Sequence, residues 1–170
     1  MKPMIKSPKR PSHKVDIQRV FKSPGQPDRR QIVKWITTAL EESGQPYACV
    51  IRIVDEAESA ELNLHYRHKP GPTNVLSFPF EWPEGLDEDE SGEATLLGDL
   101  VICAPVVERE ATEQHKQLSN HWAHMIIHGL LHLLGYDHIE ESDAEEMETK
   151  EIAILKKLHI ENPYIEVIHE

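Results

Sequence analysis

Residues 122–138, WAHMIIHGLLHLLGYDH, decide how the chain is read, because they form an apolar helix with histidines on one stripe. At about 3.6 residues per turn, His128 and His132 stand one turn apart on the same face. Around them Trp122, Met125, Ile126, Ile127, Leu130, Leu131, Leu133 and Leu134 point in nearly every direction, the pattern of a helix buried at the centre of a domain. Gly135 is the residue type that best ends a helix in the left-handed conformation. The chain is therefore expected to turn there and bring His138 back against the first two histidines.

Three neutral imidazoles converging on one point suit a zinc ion and leave one tetrahedral position open, as catalytic zinc sites do. Another divalent metal is compatible with the same donors. The spacing follows the H-E-x-x-H-x-x-G-x-x-H motif of metzincin proteases except at one position. Gly129 stands where those proteases carry their glutamate base, so the metal cage is expected without that base. His121 and His124 lie on the same helix, and hydrogen-bonded core histidines is the simpler reading of both. His124, one turn before His128, is also open as support for a ligand or as a proton shuttle.

Outward from this helix the chain alternates strands and helices. Residues 15–21 alternate weakly as a first strand. Asp28 caps a helix to about Ser43 with Ile32, Val33, Ile36 and Leu40 inward and Trp35 at its edge. Tyr47 to Val54 is a buried strand, and Asp55 caps a helix to about Tyr66. Thr73 to Phe80 is a strand that Pro79 confines to a sheet edge or exit. Leu96 to Ala104 is the last strand, and Pro105 opens a helix to about Gln114. Ser142 and Glu145 suggest a capping box for a final helix to about Leu158. The expectation is one α+β domain over residues 15–160, with a four-stranded mixed sheet and flanking helices around the histidine helix. A basic arm, 1–14, and a tail, 161–170, lie outside it.

A chain of 170 residues fits one domain. No apolar run is long enough to span a membrane and no secretory signal is evident, so the expectation is a cytoplasmic protein with no membrane partner. Cys49 and Cys103 read as buried free thiols. The net charge of −12 is unevenly placed: residues 1–30 carry nine Lys or Arg against two Asp, and residues 81–93 carry seven Asp or Glu. The basic arm reads as a disordered end or an RNA-binding tail, and the acidic stretch as a solvated loop.

HGLLHLLGYDH, together with LNLHYRHKPGPTNVLSFPFE (62–81) and LLGDLVICAP (96–105), resembles the YbeY endoribonuclease family over about residues 15–160. The resemblance implies a metal-dependent, single-strand-specific endoribonuclease acting in maturation of small-subunit ribosomal RNA and in ribosome quality control. Its partners would be RNA, ribosomal subunits and assembly factors, with no DNA expected. It also points to Arg67 as a residue needed for activity, and a guanidinium can grip phosphate with two hydrogen bonds. Arg67 and His128 are thus the expected catalytic residues, Arg67, Lys69 and Ser77 the substrate contacts, and His128, His132 and His138 the metal ligands. His68 is a weaker phosphate candidate. The base stays open among His124, Asp137, Asp99 and an attacking water that needs no side chain. A metalloprotease-like hydrolase and a ribosome-assembly binding module with a structural metal are the alternatives.

Overall fold

In the computed structural model, residues 12–81, 94–136 and 140–165 are described. Most of the expected arm, residues 82–93 of the acidic stretch, Asp137, His138 and the end of the tail lie outside them. The elements in chain order are β1 (Lys14–Arg19), α1 (Arg29–Ala39), β2 (Tyr47–Val54), α2 (Glu56–Arg67), β3 (Val75–Pro79), β4 (Thr95–Cys103), α3 (Ala104–Glu113), α4 (Leu118–Leu133) and α5 (Glu141–Lys157), with a short 3-10 turn at Glu41–Ser43.

The strands form one mixed sheet in the order β1-β2-β4-β3. β1 and β4 both run parallel to β2, which they flank, and β3 runs antiparallel along the outer edge of β4. That edge is where Pro79 belongs, since a missing backbone donor interrupts no ladder there. Alternation along β4 divides the core between the two faces of the sheet. Leu100 and Ile102 join the main cluster with Ile32 and Ile36 of α1, Ile126, Ile127 and Leu130 of α4, and Ile154 of α5. Val101 and Cys103 face the other way, packing with Val54, Leu76 and, from α2, Leu62. The fold is thus the expected α+β domain with a four-stranded mixed sheet.

α4 is the centre of the main cluster. Trp122, Ile126, Ile127, Leu130 and Leu131 have no measurable exposure, and each buried aliphatic side chain of this size contributes about 1.5–3 kcal/mol. Gly129 lets the helix approach the sheet. A Cβ there would lie 2.7 Å from Leu100 Cδ2 and 3.2 Å from Val75 Cγ2. Ser77 Oγ then donates to the Gly129 carbonyl at 3.1 Å and ties β3 to α4.

Three local expectations change. Trp35 is buried with 5% exposure rather than at an edge, because α1 also turns its Trp35 and Ala39 side inward. The capping box of the final helix is absent: Glu140 is the N-cap and makes no side-chain cap bond, so Ser142 lies inside the first turn. Asp99 lines a groove with Asp16, Val50 and Leu96. Its neighbour Leu100 meets α4, so Asp99 points to the opposite face of the sheet and is not a base for the histidine site.

Candidate metal centre and cleft

The end of α4 builds one half of the site. Gly135 is left-handed at φ 101°. Its N–H donates to the His132 carbonyl at 3.0 Å, and the Tyr136 N–H donates to the Leu131 carbonyl at 2.9 Å, the paired bonds of a Schellman cap. The turn delivers the Tyr136 carbonyl to His132 Nδ1 at 3.1 Å. A carbonyl only accepts, so Nδ1 carries the proton and His132 Nε2 keeps its lone pair.

The other half hangs on Glu151 of α5, which has no exposure. One carboxylate oxygen accepts from His128 Nδ1. The other accepts from His124 Nε2 at 2.9 Å and from the Tyr164 hydroxyl. Burial by itself would raise the Glu151 pKa, but the hydrogen bonds from His124, His128 and Tyr164 outweigh it and hold the carboxyl down at about 2. Burial lowers the pKa of His124, keeping that ring neutral despite its carboxylate partner. With Nδ1 of His128 donating to Glu151, its Nε2 also presents a lone pair.

The two Nε2 atoms, one from His128 and one from His132, lie 3.2 Å apart. Two imidazole nitrogens at that distance can share one cation. Two donors each about 2.0–2.1 Å from a tetrahedral ion would be about 3.3 Å apart, so the pair fits a divalent metal. His124, His128 and Glu151 also bring ligand atoms within 4.8 Å of one another. His138, the third expected ligand, and Asp137 lie outside the described residues.

His128 and His132 open onto a cleft of about 240 Å³ whose lining includes Arg67, Lys69 and Ser77. The expected substrate contacts and two of the three expected metal ligands, His128 and His132, therefore line one cavity. α2 sets this up: Asn63 donates to the Gly71 carbonyl at 2.9 Å, and Ser59 Oγ donates to the Thr73 carbonyl and accepts from the Thr73 N–H, both at 3.0 Å. These buried polar groups pin the segment after α2, so that Lys69 within it and Arg67 at the end of the helix line the cleft with the histidines. None of the described residues lining the cleft is acidic. Ser77 spends its proton on the Gly129 carbonyl, so toward a substrate it offers only a lone pair.

Glu151 and Tyr164 were not among the residues expected here. Met147, Glu151, Ile154 and Leu155 form the buried stripe of α5, and a lone carboxylate on such a stripe is a readable sign of a buried partner. Tyr164 leaves no such sign, since its contact depends on where the chain returns after α5. His121 proves to be a core histidine bonded to Glu110 at 3.0 Å, and His124 is buried against Glu151.

Residues 18–159 match the family model described as endoribonuclease YbeY. A protein of that name from Methylococcus capsulatus is 61% identical over 142 residues, covering 83% of this chain and 89% of the relative. Another, from Alteromonas mediterranea, is 53% identical over 156 residues, covering 88% and 95%. A solution structure of a Thermotoga maritima protein matches in fold, with a TM-score of 0.52 and 23% identity over 87% of this chain and 92% of that one.

Proposed function

The chain belongs to the endoribonuclease YbeY family, and on that premise we propose that it is a metal-dependent endoribonuclease whose ion is held by His128, His132 and His138. The observation that carries this reading is the cleft beside the paired Nε2 atoms. In a chain of net charge −12, its lining includes Arg67 and Lys69 and, among the described residues, no carboxylate. A phosphodiester is the substrate such a cleft favours over a cationic or neutral one.

The donor set favours zinc, because imidazoles with fixed tautomers suit a borderline-soft ion. The shared Nε2 pair is preferred to the group of His124, His128 and Glu151, whose short N···O contacts already make sense as hydrogen bonds. A bound divalent ion would supply Lewis acidity and a more acidic water. Glu151 and the Tyr136 carbonyl hold the imidazoles in register for it. Arg67 would clamp the phosphate oxygens and offset the charge that grows on them in the transition state, with Lys69 adding a second positive charge. Gly129 faces Leu100 and Val75, so position 129 is no place for a protease-type base, which weighs against a peptidase.

We infer further that the RNA is ribosomal, that the enzyme acts in small-subunit maturation and quality control with ribosomal subunits and assembly factors, and that it does so in the cytoplasm. Among the described residues no helix is long and apolar enough to cross a membrane.

The test is cleavage of a labelled single-stranded RNA by zinc-loaded protein, with an unfolded peptide in parallel. Cleavage of RNA alone is expected. His128→Ala and His132→Ala should abolish it, and Arg67→Ala should slow it by about 100-fold or more. Metal-dependent peptide cleavage without RNA cleavage would overturn the reading. So would full RNA cleavage by His132→Ala.

A further inference from the structure

Beyond the ligands themselves, Glu151 is a fully buried carboxylate with three donors, and one of them comes from outside the helical body. Tyr164 lies past α5, where the match to the family model has already ended at residue 159. The residue is 42% exposed, so it contributes little burial. Its hydroxyl nevertheless reaches a carboxylate with no exposure.

The segment that carries it is tied to α3's end and ordered within itself. Lys116 Nζ donates to the Pro163 carbonyl at 3.0 Å, and the Tyr164 N–H donates to Asn162 Oδ1 at 2.9 Å. The Tyr164 ring meets His124 edge-on, with centroids 5.5 Å apart and planes at 83°. A buried carboxylate can rotate unless both oxygens are claimed. His124 and Tyr164 share one oxygen and thereby aim the other at His128 Nδ1.

We propose that Tyr164, acting through Glu151, is a positioning residue of the metal centre, so that the C-terminal segment around residue 164 sets how tightly His128 holds its ion. This rests on the metal reading above. The boundary of the functional unit then lies beyond residue 160, and the segment after α5 is part of the site's support.

The experiment uses the full chain as wild type, Tyr164→Phe, Glu151→Gln and His132→Ala. Zn(II) affinity is read by competition with a chelating dye, Co(II) coordination by visible absorption, and the unfolding temperature on metal-free protein. Removing a partner that orients a ligand weakens metal binding by about 10–100-fold, which is the expected result for Glu151→Gln. Tyr164→Phe keeps the ring against His124 and should weaken Zn(II) binding several-fold and shift the Co(II) bands, with the metal-free unfolding temperature unchanged. Wild-type affinity and bands in Tyr164→Phe would overturn the proposal while leaving the metal reading intact, provided His132→Ala has lost the ion. A Tyr164→Phe variant that loses metal-free stability without losing affinity would also overturn it, as that is a structural strap. If His132→Ala binds Zn(II) as the wild type does, the metal reading falls and takes this inference with it.

Discussion

Gly129 shows how one residue can answer two questions. From the motif it reads as a missing base, an absence of chemistry. In the fold it is a contact, because the backbone of α4 meets Leu100 and Val75 where a side chain would stand. Gly129→Ala gains up to about 1 kcal/mol of helix propensity but forces a methyl against Leu100 in a full core, an overpacking cost of about 1–3 kcal/mol. Net destabilisation is the expected outcome, measured by urea unfolding; an Ala variant more stable than the wild type would mean that Leu100 moves aside freely. The same scale separates legible from illegible site residues. His128 and His132 advertise themselves by spacing within one helix, and Glu151 by its place on an apolar stripe. Tyr164 is silent until the chain has folded back, because its partner is 13 residues away across a turn.

Helix ends tell a similar story at the scale of elements. Asp28 caps α1 as its sequence suggests, accepting from the Gln31 N–H at 2.8 Å while the Gln31 side chain accepts from the Asp28 N–H at 3.1 Å. Ser142 and Glu145 have the same spacing in sequence, yet α5 starts earlier at Glu141 and uses neither. Asp28→Ala should therefore cost about 1 kcal/mol, and Ser142→Ala less than about 0.5 kcal/mol. Equal losses on denaturant unfolding would show that α5 begins later in solution. The C-terminal end of α4 was legible because Gly135 has no rival as a left-handed residue there. The further role of that turn, presenting the Tyr136 carbonyl to His132, arises only from the Schellman geometry of the folded chain.

For the whole molecule, charge and pH connect distant parts. Glu110 of α3 accepts from Asn74, next to β3, and from His121 of α4, so one carboxylate joins three elements around the core. Burial favours its protonated form, but the His121 and Asn74 hydrogen bonds outweigh this and hold its pKa below 4.5. With the folded value depressed, Glu110 stabilises the fold fully above the unfolded value and loses that contribution as pH falls through the lower folded value. Stability curves of wild type and Glu110→Gln should therefore stand apart at neutral pH and converge as the pH falls below 4.5. A gap that persists or widens in acid would reverse the sign of this assignment.

The sequence by itself determined the class of the domain, the order of its elements, the buried histidine helix and the one-turn spacing of His128 and His132 on it. These rest on short-range physics: helical and strand periodicity, caps and a glycine turn act within a few residues. Only the tertiary structure decided which groups meet. It brought Arg67 and Lys69 into one cleft with His128 and His132, turned Asp99 to the far face of the sheet and closed Glu151 and Tyr164 behind His128. Those pairings depend on strand order and on where distant segments return, and a carboxylate buried on α5 keeps its charge only because α4 and the C-terminal segment arrive with protons to share.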